Sequence, residues 1–153
     1  MRTRFRRLHL GQIRDEQGAA AIEFALALAM LITVIFWIFE LSMVIYTYNV
    51  LGDAARQGVH YAIIHGNDSS VCSGPQAGCG DTTGANVKAV VAQYAAMAFH
   101  NVSGMTVAVS YPDGDSKPPS RVLVKIAYPY VPYILLPGLT PTLHLTAEGR
   151  VIY

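Results

Sequence analysis

The chain has 153 residues, 52% of them hydrophobic and only 14% charged, with a formal net charge of +1. That length admits one small domain with a tail or anchor and excludes an elaborate multidomain enzyme. So little charge is poor for a soluble domain and suits a chain that partly meets lipid. The charge is also unevenly placed. In the first eighteen residues Arg2, Arg4, Arg6, Arg7 and Arg14 oppose only Asp15 and Glu16, which gives +3, and the remainder carries −2. No later basic stripe with interleaved aromatics follows, which argues against nucleic acid as a partner.

Behind this basic head, Ala19 to Phe39 form a run of 21 residues whose one charge is Glu23. As a helix the run spans about 31 Å, the thickness of a hydrocarbon core. Arg-rich flanks stay on the cytoplasmic side, so the predicted topology is a single pass with the head inside and the rest outside. A secretory signal places its small residues after the apolar core. Here Gly18, Ala19, Ala20 and Ala21 come before it, so the segment reads as a retained anchor.

Glu23 is costly in hydrocarbon unless paired, which makes it a candidate functional residue. If the chain is cut after Gly18, the new α-amine of Ala19 lies one helical turn from Glu23. The two charges can then compensate each other within one chain or between neighbours, and an inter-chain pair would fix the axial register of packed helices.

After Glu40, apolar residues recur every three or four positions at Leu41, Val44, Ile45, Tyr48, Leu51, Ala55, Val59, Ala62 and Ile63. This spacing predicts an amphipathic continuation over 40–66, stopped by Gly66, Asn67 and Asp68. One helix from Ala19 to about His65 would be roughly 70 Å long. Gly52 and Gly58 permit a bend or a close packing contact.

The stretch from Ser69 to Asn86 is rich in Gly, Ser, Thr, Pro and Asp and reads as an irregular loop. It holds Cys72 and Cys79, the only two cysteines. Outside a bacterial membrane they are expected to form a structural disulfide, contributing roughly 2.5 kcal/mol by the chain-entropy model. A zinc site using His65 with both cysteines lacks a fourth ligand at a familiar spacing, so no metal is expected.

Val87 to His100 carries helical spacing and predicts a second, shorter helix. The period then changes to two. Met105–Tyr111 and Ser120–Tyr128 predict antiparallel strands joined by a turn around Asp113-Gly114, with Val107, Val109 and Tyr111 facing Val122, Val124, Ile126 and Tyr128. Pro129, Pro132 and Pro137 break the ladder before a last strand in 142–153. The fold class is therefore α+β: a long N-terminal helix, a shorter one and a small three-stranded antiparallel sheet, with 67–153 as the outer domain.

The five histidines are scattered and no HExxH, GxSxG, P-loop or GxGxxG is present, so neither catalysis nor a cofactor is predicted. Asp113 and Asp115 suit the turn, or else calcium. Tyr128, Tyr130, Tyr133, Ile134, Leu135 and Leu136 form a candidate interface, with core packing as the other reading.

A basic leader ending in Gly18, Glu23 at the fifth position after it, the aromatic Phe24 and an apolar helix resemble the class III prepilin signal. The wording "EQGAAAIEFALALAMLI", with "RQGVHYAIIHG" and "YPYVPYILLPGL" later, resembles the TadE-like minor pilins, or pseudopilins, of the tight-adherence (Tad/Flp) pilus over nearly the whole chain. The resemblance implies a pilin-like fold: leader 1–18, transmembrane helix 19–39, amphipathic continuation 40–66 and outer domain 67–153. It also implies cleavage between Gly18 and Ala19, with Glu23 and Phe24 as the Glu-aromatic pair of the signal. The implied partners are a prepilin peptidase, minor and major Flp pilins, an inner-membrane assembly platform and the lipid bilayer. Ala19 stands where the best-known type IVa pilins carry Phe. Two other readings suit the same residues: an uncleaved bitopic envelope protein with a periplasmic binding domain, and a tethered hydrolase or metal enzyme.

Overall fold

The computed structural model describes residues 8–76, 78–133 and 140–152, with side chains from Gly18 onward. Two helices, α1 (Leu8–Ile64) and α2 (Ala85–Ala95), precede three strands, β1 (Thr106–Ser110), β2 (Arg121–Pro129) and β3 (Thr142–Arg150). The chain divides into two compact units, one up to Leu41 and one from Ser42 onward. The α+β class is the one expected. The candidate interface residues Ile134, Leu135 and Leu136 lie outside the described residues.

Helix α1 starts eleven residues before Ala19, inside the basic head. Its early residues include the good helix formers Leu10, Gln12, Arg14, Glu16 and Gln17, and no proline occurs before Pro75, so local propensity carries the helix back through Gly18. Within the second unit α1 buries Thr47, Leu51, Ala54, Ala55, Val59 and Ala62. The expected stripe is corrected at its start: Leu41, Ile45 and Tyr48 are all exposed. At 100° per residue they project roughly a quarter turn away from the Thr47–Leu51–Ala54–Ala62 face.

Gly58 is a packing device. A Cβ there would lie 2.4 Å from Val91 Cγ2, so its absence lets α2 bring Val87 and Val91 against the backbone of α1. Gly149 does the same for β3, where a Cβ would lie 2.5 Å from Val59 Cγ1.

Helix α2 ends at Ala95 rather than His100. Past it the chain tightens into three-residue turns, with the N–H of Met97 donating to Tyr94 O and that of Ala98 to Ala95 O. These turns deliver His100 into a buried position beside Tyr130 and Tyr133.

The sheet runs β1-β2-β3, antiparallel throughout. Its register sets Val107 opposite Ile126 and Val109 opposite Val124, which joins the two faces read from the alternation. Strand β2 is central and buries Val122, Val124, Ile126 and Tyr128 against the core that Leu51, Val87, Val91 and Leu145 share.

Candidate functional site

Every residue from Gly18 to Phe39 is exposed, including Phe24 at 70% and Trp37 at 44%. A helix that is apolar on all sides and covered on none needs lipid or partner helices around it. α1 is long and apolar enough to cross a membrane. Thr33 Oγ1 donates to Ala29 O at 2.8 Å, so the one hydroxyl of the run is satisfied within the helix, as hydrocarbon requires. Gly18, Ala19, Glu23 and Phe24 lie on successive turns at the start of this stretch, all accessible, and nothing lies within 4 Å of the place where a Cβ on Gly18 would sit.

In the second unit the loop between α1 and α2 is organised by Asp81, a residue the sequence reading passed over. Its carboxylate accepts from Ser73 Oγ at 2.7 Å, from the backbone N–H of Ala85 and Asn86 at 2.8 Å each, and from the N–H and Oγ1 of Thr83 at 3.2 Å. Burial works against ionisation, but the N–H of Asn86, the Ser73 hydroxyl and the N–H groups of Ala85 and Thr83 outweigh it and hold the carboxyl well below the usual range. Asp81 thereby caps the first turn of α2 from outside the helix. A short Asp-x-Thr-x-x-Asn signal before a helix was present in the sequence, but the partner Ser73 is fixed only by the folded loop.

Cys72 and Cys79 are joined in this loop, with Cα atoms 5.3 Å apart. His65 is engaged elsewhere: Nδ1 donates to Tyr61 O at 2.9 Å and the ring stacks on Tyr61. The three groups considered for zinc are therefore not convergent. Among the described residues no group of three or more His, Cys, Asp or Glu side chains is gathered so as to hold a metal. Asp113 receives Arg121 through Nη2 at 2.8 Å and through the backbone N–H at 2.8 Å, which draws its carboxyl down to about 2. Asp115 accepts from Ser120 Oγ. Both carboxylates close the β1–β2 connection.

The tyrosine cluster divides. Tyr128 and Tyr130 are buried, so they belong to the core rather than to an interface, whereas Tyr133 is 54% exposed. Tyr128 donates to Asn101 O at 3.1 Å, and burial raises the pKa of its phenol. Between Tyr130 and Tyr133 the His100 ring lies with Nδ1 3.5 Å from Thr47 Oγ1, and its buried Nε2 has no partner among the described residues.

A lipid-compatible helix, fully exposed, joined to a small α+β domain fits a single-pass membrane protein. Residues 18–60 match the family model described as TadE-like protein, so the apolar helix and most of its amphipathic continuation are similar to that family. No curated protein and no solved structure matches the chain.

Proposed function

We propose that this chain is a non-enzymatic, membrane-anchored minor pilin or pseudopilin of a Tad/Flp-type adhesive pilus, acting in its assembly, initiation or tip. In this reading the basic head stays in the cytoplasm and the second unit stands in the periplasm. A prepilin peptidase cuts between Gly18 and Ala19. The observation that carries the proposal is the family match beginning at Gly18 and running over an apolar helix exposed on every side.

The mechanism is physical. Residues 19–39 wait in the bilayer, because hydrocarbon is the solvent that an all-round apolar helix accepts. When an assembly platform extracts the subunit, the same surface exchanges lipid for neighbouring pilin helices. Glu23, four residues after the new amine of Ala19, penalises any axial slip that leaves its charge unpaired.

Intact-mass measurement of the chain from its native membrane tests this reading. The expected N-terminus is Ala19, with the processed form lost in Gly18→Ala. A chain that keeps Met1 in both overturns the proposal and favours an uncleaved bitopic envelope protein.

A further inference from the structure

The second unit has two chemically different ends. At one, Arg121 pairs with Arg150 across β2 and β3 and bonds Asp113, with Glu148 two residues away on β3. The last turn of α1 reaches this end, where the N–H of Ile152 donates to Ile63 O. At the other end β1 begins with Thr106 opposite Ala127, and Pro129 faces Thr142. Here α1 contributes Tyr46, whose hydroxyl donates to Met97 O at 3.2 Å, and Thr47 beside His100.

The segments 42–52, 89–107 and 126–133 that build this second end contain no Asp, Glu, Lys or Arg. They expose large apolar and aromatic side chains instead: Met97 at 62%, Phe99 at 72%, Val131 at 53% and Tyr133 at 54%. The patch is ordered. Phe99 stacks on Tyr46 with centroids 4.9 Å apart, and Tyr133 donates to Phe99 O at 3.5 Å.

Tyr46 follows Phe39, the last residue of the apolar run, by seven positions. Whatever the conformation between them, that much chain reaches at most about 25 Å. A bilayer holding residues 19–39 is therefore always within reach of the patch, whereas a second copy or another protein must be met by diffusion. Tyrosine and other aromatics with one polar edge favour the headgroup layer. The five patch side chains carry no charge, and the nearest carboxylate on α1, Glu40, is buried, so seating the patch avoids the desolvation penalty that the Arg121 end would incur. We propose that the uncharged end formed by Tyr46, Met97, Phe99, Val131 and Tyr133 seats in the interfacial layer of the membrane that anchors the chain. This rests on reading residues 19–39 as the membrane span. It gives the outer domain a preferred side toward the lipid before any partner binds.

The test uses tryptophan fluorescence of the full chain in phosphatidylcholine–phosphatidylglycerol vesicles whose phosphatidylcholine is brominated at shallow acyl positions. Trp37 is the only tryptophan, so the natural chain reports on the span itself. On a Trp37→Phe background, Phe99→Trp and, separately, Met97→Trp report on the patch, and Lys117→Trp reports on the charged end. The expected result is quenching and a blue-shifted emission at positions 97 and 99 comparable with Trp37, and unquenched, red emission at 117. Trp37 quenched with 97 and 99 no more quenched than 117 overturns this inference and leaves the membrane span standing. Blue-shifted emission at 97 and 99 without quenching identifies a protein cover and also overturns it. An unquenched Trp37 removes the span, and the inference with it.

Discussion

Helix α1 contains two surfaces governed by different solvents. From Gly18 to Phe39 it is apolar all round and exposed all round, while from Ser42 to Ile64 it buries one stripe and exposes the rest. Asp53 and Arg56, joined at 3.0 Å, lie on the exposed side of the second stretch. Backbone geometry is the same in both, so what differs is the distribution of side chains around the axis. The first distribution is stable only when something apolar surrounds it, and the second only when one apolar neighbour covers one face. One helical segment can therefore carry side chains suited to an anchor and another side chains suited to a domain element.

The comparison is broken most strongly by placing charge in the first stretch. Ile32→Arg with Ile35→Arg should cost about 5–7 kcal/mol of insertion on the biological scale. The expected outcome is loss of the chain from the carbonate-resistant membrane fraction, with the melting of the second unit unchanged. Leu51→Ala is the converse. Leu51 is fully buried, so truncation should cost about 2–5 kcal/mol of folding stability while membrane retention is unaffected. Thermal melts followed by far-UV dichroism check this.

Asp81→Asn sharpens the comparison by touching the second unit alone. It removes the charge that Ala85, Asn86, Ser73 and Thr83 converge on. The expected loss is on the order of 2 kcal/mol near neutral pH, in the range for charge-assisted hydrogen bonds. The folded carboxyl titrates below its unfolded value, so its contribution is fully present above the ordinary aspartate value near 4 and is lost as pH falls below that. The difference in melting temperature between the natural chain and Asp81→Asn should accordingly shrink between about pH 4 and pH 2. A difference that stays constant across that window would refute the role given to the charge.

Much of this architecture was legible because it is local. The apolar run announces itself by length and the strands by period two, and the alternation assigns the faces, while the choice of Ile126 for Val107 and Val124 for Val109 among two-residue shifts is made by the folded sheet. The errors share a cause. Leu41, Ile45 and Tyr48 carry helical spacing as good as that of Leu51, and nothing in one segment says which of two adjacent apolar faces a distant sheet will cover. Tyr128, Tyr130 and Tyr133 read alike in sequence, yet the last ladder position and the turn after it send two inward and leave the third exposed. Helical spacing runs on to His100, but α2 ends at Ala95 because His100 is drawn into the core beside Thr47, 53 residues away.

The sequence by itself determined the chain's relation to solvent: a basic head, an apolar segment long enough to span a bilayer, and a small α+β domain. Those properties are sums over neighbouring residues, so they survive without knowledge of contacts. Tertiary structure decided which face of α1 is core, why Gly58 and Gly149 have no side chain, how Asp81 gathers its donors, and that Met97, Phe99, Val131 and Tyr133 gather at the end of the domain away from Arg121 and Asp113. Each of those depends on groups brought together from distant parts of the chain, where packing and hydrogen-bond satisfaction select among surfaces that local pattern leaves equivalent.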